Sequence, residues 1–120
     1  MGSMREPTFL ILTALAAQPR HGYGIITDVT DLSGGRVKLA PGTLYAALDR
    51  LADEGLVEVD REETVSGRMR RYYRLSTTGV AALDTEVEQL RARAAAASAR
   101  LATRRTGLAT FIPAGLGATA

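Results

Sequence analysis

The run A-P-G-T-L-Y-A-A-L-D-R-L-A-D-E-G-L, residues 40–56, marks both ends and one face of a single short helix. Leu44, Leu48 and Leu51 fall at i, i+4 and i+7 and share one face. Pro41 suits the first helical position, and Gly55 suits the residue just past the end. The opposite face carries Gly42, Ala46, Asp49, Arg50 and Asp53, with Thr43 and Tyr45 on the flanks. An ordinary solvated face has long polar side chains from end to end. Here the first half is stripped to small residues, as if another surface had to come close.

The neighbouring segments restrict what can be built around that helix. Thr8 to Ala17 is apolar enough for a largely buried helix, ended by Gln18-Pro19. Ile25, Ile26, Val29 and Leu32 repeat with helical spacing over 22–32, and Ser33-Gly34-Gly35 breaks the pattern. Leu56 to Glu62 alternates Val57, Val59 and Arg61 against Leu56, Glu58 and Asp60, as a strand does. Thr64 to Gly67 supplies a turn, and Met69 to Leu75 is rich in β-formers. Ser76-Thr77-Thr78 can cap a last helix that continues through an alanine-rich run to about Arg105. Gly107 to Ala120 has no charge, and a flexible tail is expected there.

Three short helices followed by a hairpin give an α+β chain, mainly α, in the order of a winged helix-turn-helix. The expected domains are 4–76 for that module, 77–106 for a long C-terminal dimerisation helix and 107–120 for the tail. In such a module the third helix enters the major groove and its first residues meet the base edges. Small residues at Gly42, Thr43 and Ala46 would let that happen. The uncapped amides and helix dipole there can also hold a phosphate. The plainer alternative is that Pro41-Gly42-Thr43 simply begins a surface helix.

Several spaced blocks closely resemble the PadR family of bacterial transcriptional regulators. They are H-G-Y-G-I-I (21–26), S-G-G-R-V-K-L-A-P-G-T-L-Y-A-A-L-D-R-L-A-D-E-G-L-V (33–57), R-R-Y-Y-R-L-S-T-T-G (70–79) and the following A-A-L. The blocks stand in family order from about Phe9 to Leu90. The resemblance implies a homodimer that represses nearby genes and is relieved by a small-molecule effector. The single long helix after the wing is similar to the family's short-tailed branch. A-P-G-T replaces the family's usual S-P-G-T and removes a hydroxyl that could cap the helix.

Carried onto this chain, the resemblance places double-stranded DNA against Pro41, Gly42, Thr43 and Tyr45. Tyr45 has an alternative as a half-buried core aromatic. Lys38 precedes the helix, where it can meet a phosphate. Gly22 and Tyr23 open the second helix and can offer an amide and a hydroxyl to the same backbone. Arg50 either reads a base or pairs with Glu54 four residues on. Asp49 and Asp53 limit insertion to the first two turns. At the wing, Val65-Ser66-Gly67-Arg68 forms a flexible tip suited to the minor groove or its phosphates. Tyr73 and Leu75 are the expected core pair, which turns Arg70 outward; some wing arginines should meet Glu62 or Glu63 across the turn.

Val80, Leu83, Val87, Leu90, Ala94, Ala97 and Leu101 repeat with spacing 3-4-3-4-3-4. That heptad seam argues for helix-on-helix packing between two copies. A helix from Thr77 to Arg105 would reach about 43 Å, too far for a small core to cover. Acidic residues Asp84, Glu86 and Glu88 precede Arg91 to Arg105, which favours antiparallel or crossed pairing.

Other classes fit poorly. The chain has 120 residues, one histidine and no cysteine, so a catalytic set, a disulfide and a thiolate metal site are all unexpected. No cofactor or metal is expected either: His21 with Asp28 and Asp31 would make only a weak ligand set. No apolar run reaches the ~18 residues of a membrane span and no signal-peptide pattern opens the chain, so a cytoplasmic location is the expectation. Met1-Gly2-Ser3 before Met4 reads as an expression scar. The net charge of +2 identifies no partner by itself. The surviving rival is a winged-helix protein-interaction module without specific DNA binding. No tryptophan is present, which puts in doubt the aromatic sandwich between C-terminal helices that some multidrug-binding relatives use.

Overall fold

The computed structural model describes residues 4–111, with side chains through 107. Its elements are α1 (Glu6–Ala16), β1 (Arg20–His21), α2 (Gly22–Leu32), α3 (Pro41–Asp53), β2 (Val57–Val65), β3 (Arg68–Leu75) and α4 (Thr77–Phe111). The chain divides into two compact units, Met1–Glu86 and Val87–Ala120, so the first turns of α4 belong with the first unit.

The core forms where the apolar faces meet. Ile11 and Leu12 of α1, Ile25 and Val29 of α2, and Leu44, Leu48 and Leu51 of α3 are fully buried. Val57 and Tyr73 bring the sheet to the same cluster. Helix α3 ends as its glycine requires. Gly55 has φ +78°, the Leu56 amide donates to the Leu51 carbonyl at 2.9 Å, and the Gly55 amide donates to Ala52 at 3.0 Å. This is a Schellman closure, which needs the left-handed conformation that glycine adopts without strain.

The sheet has three antiparallel strands in the order β1-β3-β2, where a two-stranded hairpin was expected. Arg20 pairs with Tyr73 and His21 with Tyr72. A two-residue strand has no periodicity of its own to announce it. The wing turn is also tighter than expected, because Val65 pairs with Arg68 and leaves Ser66-Gly67 as the loop. Ser66 (φ 52°) and Gly67 (φ 77°) are both left-handed, as a type I′ hairpin turn demands. A register shift between Val59 and Arg61 interrupts the alternation expected along β2, and Val59 stands exposed.

Ser76 caps α4 as expected, accepting the Gly79 amide at 2.9 Å on its hydroxyl. The same residue's amide donates to the Leu56 carbonyl at 3.0 Å. A Cβ on Gly79 would overlap the Leu56 carbonyl oxygen and sit 2.9 Å from its carbonyl carbon. The glycine therefore permits a backbone-to-backbone approach between the start of α4 and the start of β2. Leu83, assigned to the dimer seam from its spacing, is instead buried in this unit's own core. Glu86 is buried three residues on and accepts the Met4 amide at 3.4 Å.

In the second unit α4 continues to Phe111, past the expected end at 106. The rest of the expected tail, 112–120, lies outside the described residues. Residues 88–107 are all exposed, including Leu90, Ala94, Ala97 and Leu101. No helix of the described residues is long and apolar enough to cross a membrane.

Candidate nucleic-acid interface

The start of α3 has the bareness its sequence suggested. Ala40 is the N-cap and makes no side-chain cap, while Pro41 occupies the first turn. The first helical bond runs from the Leu44 amide to the Ala40 carbonyl at 3.0 Å. The Gly42 and Thr43 amides are therefore left without a side-chain acceptor. Lys38, Pro41, Gly42 and Thr43 are all exposed, and the space around Gly42 is open for 4 Å.

Beside this helix start lies a groove of about 480 Å³. The beginning of α2 lines it through His21, Gly22 and Tyr23, α3 through Tyr45, and the wing through Val65, Ser66, Arg68, Met69, Arg70 and Arg71. Five expected contact residues thus converge: Gly22, Tyr23, Tyr45, Arg68 and Arg70. Tyr23 is 75% exposed and Tyr45 45%, so Tyr45 is a groove residue and not a member of the core. Gly22 has a packing part that the sequence did not suggest. It is buried, and a Cβ there would collide with the Tyr45 hydroxyl and come to 2.7 Å of its Cζ. Its small size makes room for the Tyr45 ring.

Arg50 stays outside the groove. Its guanidinium lies 3.8 Å from Glu54 and 3.4 Å from the Thr8 hydroxyl, the pairing that the i,i+4 spacing allowed. The structure thus shows the intramolecular one of the two roles its sequence position offered.

The wing arginines divide into two groups. Arg71 pairs with Glu62 at 2.9 Å across the hairpin. Arg74 is held by Glu58 and Asp60, both at 2.9 Å. Arg61 pairs with Asp60 and Glu63 at 2.9 Å and lies 3.9 Å over the Tyr72 ring. Hydrogen bonds from Arg74 and then Arg61 hold the Asp60 carboxyl below its usual range, and Arg61 does the same for Glu63. Glu63 stands opposite Arg70 in the hairpin register, yet its salt bridge goes to Arg61. Arg68 and Arg70 make no salt bridge among the described residues. The exposed pairs add little stability. Their larger effect is to cancel three cations internally and leave two beside the groove.

His21, given no DNA contact from sequence, lines the same groove. It is the N-cap of α2, and its Nδ1 accepts the Gly24 amide at 3.2 Å. Its ring meets Tyr72 edge-on, with centroids 5.3 Å apart. Burial, and then the charge of Arg70, lower its pKa from 6.5. An imidazole preceding a glycine-rich helix start was the available signal, but histidine is not among the preferred caps. Among the described residues no cluster of three or more histidines and carboxylates could hold a metal.

The architecture is a winged helix-turn-helix carrying an uncapped third helix beside a hairpin. The chain matches the transcriptional regulator PadR-like family over residues 11–85, and it belongs to that family. A transcriptional regulator of Mycobacterium tuberculosis is 41% identical over 64 residues, covering 53% of this chain and 46% of that protein. A PadR family transcription regulator of Clostridium difficile is 24% identical with a TM-score of 0.67, covering 81% of this chain and 99% of that one. Bacillus subtilis PadR in complex with operator DNA is 23% identical with a TM-score of 0.62, covering 69% of this chain and 47% of that one. The two solved structures establish the likeness of fold. The chain spans about half the length of the Mycobacterium and Bacillus proteins.

Proposed function

We propose that this regulator binds double-stranded DNA as a homodimer and represses transcription from a near-palindromic operator. The observation that carries this reading is the groove beside α3, where Arg68 and Arg70 stand outside the salt bridges that neutralise Arg61, Arg71 and Arg74. Two guanidiniums free of intramolecular salt bridges beside a groove suit phosphate contacts. Thr43 and Tyr45 would meet base edges and adjoining phosphates, with Lys38, Gly42 and Pro41 at the helix entrance. The Bacillus PadR structure contains operator DNA, which supports the same partner here.

Dimerisation is supported by the apolar residues that α4 leaves exposed at heptad spacing. Val80 is 55% exposed, Leu90 39% and Leu101 52%, with Ala94 and Ala97 exposed between them and Val87 half-buried. Leu83 is excluded from this seam because its own core uses it. The family resemblance supports relief by a small-molecule effector.

The test is selection of bound duplexes from a random library, followed by titration of the selected and a scrambled duplex across a salt series. Half-sites about 34 Å apart should be recovered, one helical turn between centres. Arg68→Ala and Arg70→Ala should each lower the salt slope by about one phosphate contact. Arg74→Ala should leave the slope unchanged. Absence of binding to any duplex at low salt would refute the reading and favour a protein partner for the wing.

A further inference from the structure

His21 has one nitrogen committed and one unused. Its Nδ1 accepts the Gly24 amide at 3.2 Å, which requires a lone pair on that atom. The proton of the neutral ring therefore resides on Nε2, which has no acceptor among the described residues. The ring packs T-shaped against Tyr72 at an interplanar angle of 85°, and Arg61 lies over the Tyr72 ring in turn, so the Gly24 bond and this packing together orient the imidazole. The result is an oriented, half-buried imidazole with an unused N–H, in a residue that lines the groove with Tyr23, Tyr45, Arg68 and Arg70. A donor flanked by two guanidiniums and by the positive end of an eleven-residue helix suits an anionic oxygen.

Resting on the DNA-binding reading above, we propose that His21 is a further DNA-contacting residue, donating Nε2–H to a phosphodiester oxygen of duplex seated in this groove. It contributes a directed hydrogen bond without a charge. It should therefore orient the backbone without adding to counterion release, unlike Arg68 and Arg70. Burial and the Arg70 charge both disfavour the imidazolium, in keeping with a neutral donor. The cap enforces the same state, since a proton on Nδ1 would break the bond to Gly24.

His21 is the only histidine, so its imidazole signals can be assigned without ambiguity in a long-range nitrogen–proton spectrum of the full chain. The free protein should show an unprotonated Nδ1 and a protonated Nε2. A saturating duplex of random sequence, about two helical turns long, should shift the Nε2–H signal and slow its exchange with water. His21→Ser keeps a capping oxygen for the Gly24 amide but cannot reach the groove. It should bind the same duplex about tenfold more weakly with an unchanged salt slope. Imidazole signals unaltered at saturating DNA would overturn the inference, as would a fallen slope, which would mean a cation had been removed. Failure of the unmodified protein to bind duplex at low salt would refute DNA binding itself, and this inference with it.

Discussion

Gly79→Ala tests the packing that holds the wing base against α4. An added Cβ would overlap the Leu56 carbonyl oxygen and lie 2.9 Å from its carbon and 3.3 Å from its Cα. All three atoms are backbone, so no rotamer change relieves the contact and the two segments must separate. Overpacking of this kind costs about 1–3 kcal/mol. Separation also strains the Ser76 amide bond to Leu56, 3.0 Å long, worth about 0.5–1.5 kcal/mol. Alanine in a helix returns up to about 1 kcal/mol relative to glycine. The net loss is about 2 kcal/mol, or a fall of about 10 °C in Tm for a domain of this size. Gly107→Ala is the control, because that position has open space around it and should gain only the propensity term. Urea and thermal unfolding at one fixed protein concentration measure both variants, since dissociation would otherwise enter the transition. A Gly79→Ala protein as stable as Gly107→Ala would refute the close approach.

Gly22→Ala should instead act on the site, because the atoms it meets belong to the movable end of Tyr45. Duplex affinity should fall with little loss of stability, and in a Tyr45→Ala background the Gly22→Ala change should have no further effect, as a double-mutant cycle will read. Leu83→Ala should cost about 2–5 kcal/mol as a core truncation, whereas Leu101→Asp should leave unfolding of the first unit intact and shift the protein to monomer in sedimentation. The lowered pKa of His21 makes the unfolded chain the better proton binder as pH falls through 6.5. Stability should therefore decline as pH falls from about 6.5 toward the folded pKa, and His21→Ser should flatten that part of the profile measured by urea titration.

Much of the site's frame was legible locally. Pro41, the leucine spacing and Gly55 predicted α3 because each acts through its own backbone conformation or helical face. Ser76 predicted the start of α4 for the same reason, and Tyr73 stood out as the core residue of β3. What stayed hidden depended on partners distant in sequence. β1 exists only because β3 offers it an edge, and Gly22 is small for the sake of a ring on α3. The heptad spacing correctly marked an apolar face on α4, but periodicity cannot say which of its residues a chain buries within itself.

The sequence alone therefore determined the order of the four helices and the hairpin, the closing of α3 at Gly55, the capping of α4 by Ser76 and the composition of the wing, since these rest on interactions among near neighbours. Which cations remain for a partner was decided only by tertiary structure. Arg68 and Arg70 differ from Arg71 and Arg74 in nothing that composition records. The hairpin register sets Glu62 opposite Arg71, Glu58 opposite Arg74 and Tyr72 opposite Arg61. Neutralisation by a carboxylate depends on separations of a few ångströms, and those distances are fixed only once the strands have paired.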